Sequence, residues 1–219
     1  MNFYQISKKK KFFNINATLL LIFLNVIFFF IFSVWISFNP QFINYIALMP
    51  SNIFKGKYLW TFFTSMFMHG GFFHLFANML SMMFIGNFVE RLLGKKRFVF
   101  VYILSGLFAG ILFVLSSLVF SSDISTYAVG ASGALFGLLG IIMLITPDLP
   151  VYIMFFPIPI KMKYAAPGML ISLWLISIAG AVPIGNMAHL GGFLLGLGYG
   201  FYLRQKYKNK IKNLQRYFS

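Results

Sequence analysis

The sequence predicts an all-α membrane protein, a bundle of six transmembrane helices with both termini cytoplasmic. Three observations carry that expectation. The 219-residue chain is 60% hydrophobic and only 10% charged, against about 25% charged in an ordinary soluble protein, and its mean hydropathy is +0.85. Six apolar stretches approach the length of about 20 residues that a helix needs to cross a bilayer. The cations between those stretches fall almost entirely on one side.

The first stretch, residues 15–38, exceeds a signal-peptide core of about 7–15 residues and has no small-residue cleavage site behind it, so it reads as a retained span. A long first loop (39–71) follows, in which Tyr58–Met68 is apolar but short and reads as interfacial. The remaining spans are 72–89, 98–120, 131–145, 165–184 and 188–203. They are separated by a basic turn (90–97), a polar loop (121–130), a Pro-rich connection (146–164) and a tight turn (185–187). All six are expected to be helices, because only helices or closed barrels satisfy the backbone in lipid and no ten-residue alternating pattern is present. The chain therefore divides into a basic cytoplasmic N-terminus (1–14), a six-helix domain (15–203) and a basic cytoplasmic tail (204–219).

Direction follows from the positive-inside rule. With the N-terminus inside, that side holds Lys8–Lys11, Arg91, Lys95, Lys96, Arg97, Lys161, Lys163 and the six cations from Arg204 to Arg216, leaving only Lys55 and Lys57 outside. The net charge of +15 thus belongs to one membrane face. The tail reads as an anchor against anionic lipid, not as a nucleic-acid surface. The 30 Phe residues fit a biased composition and are not a ligand signal. The absence of cysteine excludes disulfides, thiolate metal sites and a cysteine nucleophile.

Spans two, four and six run in the same direction, so residues at their beginnings share the outer half of the bilayer. His69, His74 and Asn78 stand at the start of span two, Ser132 at the start of span four and His189 at the start of span six. Polar groups at membrane depth are costly and normally face a protein interior or a wet cavity. Span four covers about 22 Å of a hydrocarbon core of about 30 Å, which places Ser132 below the outer surface with water reaching it through the loop above. Glycines bring the helices together: Gly192, Gly196 and Gly200 share a helix face with His189, and Gly133 and Gly137 form a matching small-residue step on span four. Close packing of the two brings the Ser132 hydroxyl within reach of the His189 imidazole, as general-base activation requires. Phe136, one turn below Ser132, supports that ring.

Each feature also has a plainer explanation. Small-residue steps usually serve packing alone, a lone intramembrane serine usually bonds its own helix, and a lone histidine can be a core residue or part of a proton path. A transporter would show intramembrane carboxylates or repeat-related half-helices, and neither is present. A three-histidine metal site would leave the glycines around Ser132 unexplained.

At these residues the chain resembles the rhomboid intramembrane serine proteases. Gly130-Ala131-Ser132-Gly133 is similar to the family's GxSG, Ala188-His189 with Gly192 and Gly196 to its AHxxGxxxG, and His69, His74 and Asn78 to its HxxxxHxxxN, in the family's order over roughly residues 55–203. Phe136 stands where the family often has tyrosine. Glu90-Arg91 also resembles a family feature, to which only a structural role is given.

The resemblance implies a Ser132–His189 dyad without an aspartate, and Asp123, in the loop nine positions before Ser132, is not part of it. It implies an oxyanion site built from His74, Asn78 and the Ser132 backbone N–H, with His69, Gly130, Gly133 and Phe136 in support and no metal or cofactor. His69 lies five residues before His74 and is expected to point elsewhere, supporting the first loop. The implied substrates are single-span membrane proteins cut in or near the transmembrane segment. A non-catalytic binder of membrane helices would be expected to lack Ser132 or His189. The short chain points to a bacterial plasma membrane, with the site opening to the extracytoplasmic side.

Overall fold

The computed structural model describes residues 16–152, 157–180 and 184–218, and it is dominated by helices. Helix α1 (Ala17–Phe38) begins where the Asn16 side chain accepts the Thr18 N–H at 2.8 Å, a standard N-cap. The first loop is itself folded, with a 3-10 turn at Pro40–Tyr45 and short helices α2 (Pro50–Phe54) and α3 (Thr61–Thr64). Helix α4 (Phe72–Ser81) runs through a π turn at Met82–Gly86 into α5 (Asn87–Leu93), so that Phe72–Leu93 is one rod of 22 residues.

Gly94, at φ +78°, breaks the rod, and α6 (Lys95–Ser116) starts at the next residue. The expected basic turn at 90–97 therefore shrinks to Gly94, and the third span is shifted to 95–116. A glycine supplies the left-handed bend in one step, while Lys95, Lys96 and Arg97 sit on the helix with their heads exposed. Helix α7 (Ser132–Ile145) follows. The Pro-rich connection holds an antiparallel pair, β1 (Pro150–Val151) with β2 (Ile160–Lys161). Lys163 and Lys161 lie 2.9 and 3.1 Å from Asp148 and hold its carboxyl below the usual carboxylate range.

Then come α8 (Met162–Gly180), α9 (Asn186–Lys206) and α10 (Lys208–Phe218). Asn186 and Met187 already belong to α9, so the expected turn at 185–187 is reduced to Gly185, and residues 181–183 of the expected fifth span lie outside the described residues. Lys8–Lys11 lie outside them as well. The basic tail is a helix, amphipathic and set off from α9 at Tyr207.

Among the described residues, Ala17–Phe38, Phe72–Leu93, Lys95–Ser116 and Met162–Gly180 are long and apolar enough to cross a membrane, and Ser132–Ile145 is a shorter apolar helix. Helix α7 is the centre of the bundle. Every residue from Gly133 to Ile142 is buried, enclosed chiefly by α6 and α9.

Glu90 on α5 fastens α1 to this core. Its carboxylate accepts from the backbone N–H groups of Ala17 at 2.9 Å and Thr18 at 2.8 Å, and from the Thr18 hydroxyl at 2.7 Å. A carboxylate on the first turn of a helix satisfies orphan donors and favours the dipole. Glu90→Ala is expected to lower stability by about 2–3 kcal/mol and to open the α1 end to proteolysis, read by thermal unfolding and limited digestion.

Candidate active site

Ser132 is the first residue of α7, preceded by Gly130 at φ +116°, a conformation that only glycine adopts without strain. Two backbone contacts from the first loop hold this approach. Leu48 and Ala128 exchange hydrogen bonds of 3.1 and 2.8 Å, and the Gly130 N–H donates to the Ser65 carbonyl at 2.9 Å. Neither Leu48 nor Ser65 is marked by type or spacing, since these bonds run between main-chain atoms.

The glycine faces bring α9 against α7. A Cβ on Gly192 would run into the Gly133 carbonyl oxygen, one on Gly196 into the Gly137 carbonyl oxygen, and one on Gly140 would lie 2.5 Å from the Phe193 carbonyl oxygen. The backbones are thus in contact with no side chain between them. At the head of this seam the Ser132 Oγ and His189 Nε2 lie 2.7 Å apart. His189 is buried and Ser132 half-buried. The Phe136 ring lies 4.7 Å from the imidazole, tilted by 31°. His189 Nδ1 is buried without a hydrogen-bond partner among the described residues, and Asp123 sits in the 3-10 turn Ser121–Asp123.

His74 enters the same space from α4. Its Cε1 and Nε2 lie 2.9 and 3.0 Å from the point that a Gly130 Cβ would occupy, itself 3.8 Å from the Ser132 Oγ. The Gly70 N–H donates to its Nδ1 at 3.3 Å, so the neutral ring carries its proton on Nε2 and is a donor there. Asn78, one turn below, is buried and spends one amide hydrogen on the His74 carbonyl at 2.8 Å.

His69 differs from expectation. It is buried and packs edge-on against His74, with ring centroids 5.2 Å apart. Helical spacing does not apply to it, because α4 starts at Phe72 and the chain bends at Gly70 and Gly71.

The sequence that builds this site has relatives. The sequence profile of the Rhomboid domain matches residues 56–206. The chain belongs to the rhomboid family. RHOMBOID-like protein 1 of Arabidopsis thaliana is 42% identical over 167 residues, 74% of this chain and 39% of that protein. RHOMBOID-like protein 6, mitochondrial, of the same plant is 36% identical over 163 residues, 72% of this chain and 48% of that protein. A third, Inactive RHOMBOID-like protein 8, is 31% identical over 139 residues, 62% of this chain and 36% of that protein. This rhomboid thus spans less than half the length of these relatives. It is an integral membrane protein, and these plant relatives, one of them mitochondrial, lend no support to a bacterial plasma membrane.

Proposed function

We propose that the chain is an intramembrane serine endopeptidase working through a Ser132–His189 dyad. The 2.7 Å approach of the Ser132 hydroxyl to His189 Nε2 carries this reading. The hydroxyl donates to Nε2, and Nδ1 holds the ring proton. As Ser132 attacks the scissile carbonyl, Nε2 takes its proton and then returns it to the leaving amine. Water, activated by the same nitrogen, hydrolyses the acyl-enzyme and restores the serine.

The tetrahedral oxyanion is met by the Ser132 N–H, an orphan donor on the first turn of α7, by His74 Nε2–H and by the second amide hydrogen of Asn78. His69 and Phe136 pack the two imidazoles in place, and Gly130 leaves room for the His74 ring. Removing one oxyanion donor typically costs about 10²–10³ in turnover. His74→Ala is expected to lose that much in kcat with the fold intact, read by cleavage rate alongside thermal unfolding.

In the membrane α1, the α4–α5 rod, α6, α7, α8 and α9 form six spans with both termini cytoplasmic, and the dyad opens to the extracytoplasmic side. Substrates are single-span membrane proteins whose helix unwinds near the cut, since an intact helix keeps its peptide groups engaged. The test is cleavage of a purified single-span reporter by the purified chain, with product masses locating the cut. Cleavage in or beside the hydrophobic segment is expected, and an uncut reporter overturns the reading. A non-catalytic role is the second reading, favoured by the 31% identity to Inactive RHOMBOID-like protein 8. It predicts that the reporter is bound and left whole.

A further inference from the structure

The end of the bundle away from Ser132 holds a cleft that hydrolysis does not use. It encloses about 210 Å³ where α10 folds back over the ends of α5, α7 and α9. Leu92, Leu93, Ile211 and Leu214, each half-buried, form an apolar floor, and Arg97 and Lys210 contribute to its lining with exposed side chains. Arg97 is held in position, since its Nη2 donates to the Tyr207 hydroxyl at 2.9 Å and its guanidinium stands 5.3 Å over that ring. One of the five guanidinium N–H groups is used there, and a guanidinium presents the rest as a fork suited to a phosphate.

Among the described residues no carboxylate answers these two cations. The chain has three acidic residues. Glu90 receives the N-terminus of α1, Asp148 pairs with Lys161 and Lys163, and Asp123 lies at the opposite end of the bundle, before α7. The cleft is also smaller than the roughly 300–1,000 Å³ of a pocket for a whole small molecule. A basic rim over an apolar slot of that size, at the end of a membrane helix bundle, matches one headgroup and the upper part of one acyl chain. A soluble anion would leave the floor wet.

The geometry points to a binding site for a single anionic phospholipid, its phosphate on Arg97 and Lys210 and an acyl chain against Leu93 and Ile211. This site lies apart from the dyad, so its test does not depend on proteolysis. The full chain in detergent is mixed with dioleoyl phosphatidylglycerol or dioleoyl phosphatidylcholine, and retained lipid is counted by native mass spectrometry. One phosphatidylglycerol per chain is expected, in preference to phosphatidylcholine. Each cation near a membrane surface contributes about fivefold. Lys210→Gln, at an exposed position, should therefore weaken retention about fivefold and the Arg97→Gln/Lys210→Gln pair about 25-fold, with Arg97→Lys between wild type and Arg97→Gln, since an ammonium keeps the charge and loses the fork, and Lys55→Gln/Lys57→Gln unchanged. Equal retention of the two lipids overturns the site, as does equal loss in the Lys55/Lys57 variant. Displacement by inorganic phosphate at the lipid's own concentration, or a lipid-free dimer, also overturns it, by giving the cleft to a free anion or a second copy.

Discussion

Ser132→Ala is expected to reduce cleavage of a single-span reporter to background, a fall of up to about 10⁶-fold where a serine–histidine unit is broken, with thermal stability nearly unchanged. Among the described residues the hydroxyl takes part in one hydrogen bond, to His189 at 2.7 Å, and such a bond contributes about 1 kcal/mol to folding. His189→Ala should lose as much activity for the complementary reason, since without the imidazole nothing at the seam accepts the serine proton. The double variant should be no slower than either single one, because the two side chains act as a unit. Multiplying losses, or residual turnover in Ser132→Ala well above background, would assign the chemistry to other groups.

The second large effect concerns packing. Gly192→Ala and Gly196→Ala each place a methyl group on a backbone carbonyl of α7, at Gly133 and Gly137. A backbone cannot rotate aside as a flexible side chain can, so the helices must separate. Overpacking of this kind costs about 1–3 kcal/mol and sometimes more. Displacing His189 from Ser132 by about 1 Å should cost a further 10²-fold in turnover. Gly198 on the same helix has nothing within 4 Å of its would-be Cβ. Gly198→Ala should therefore be neutral or stabilising by up to about 1 kcal/mol. Thermal unfolding and reporter cleavage of the three variants read both effects, and equal behaviour would refute the seam.

Much of this seam was legible in the residue pattern. Glycines four apart, Gly192, Gly196 and Gly200 after His189 and Gly133 and Gly137 after Ser132, point to backbone contact whatever the rest of the fold does, and the outcome depends on a local period. The segments that approach Ser132 were not legible. Leu48, Ser65 and Ala128 act through main-chain bonds between distant stretches, and side-chain type carries no trace of such pairing. The place of His69 was not legible, because counting five residues back from His74 applies helical spacing across the loop, where Gly70 and Gly71 permit the bend that seats His69 on His74. The expected basic turn at 90–97 is longer than the Gly94 break because apolar runs mark only the membrane part of a helix, and exposed lysines are good helix formers. The helical form of the tail depends on its apolar residues finding the bundle end, as Ile211 does.

The π turn at Met82–Gly86 has a consequence for how this rod tolerates change. Each added residue rotates an α-helix by about 100°, and a π turn absorbs one extra residue locally. The half that carries His74 and Asn78 and the half that carries Glu90 are thus indexed separately, like two gears with a slipped tooth between them. A single-residue deletion inside that turn would return it to α-helical winding and keep both halves in phase, whereas one in the regular helix on either side would re-phase one half against the other. Either Glu90 would face away from the start of α1, or His74 and Asn78 would leave the dyad.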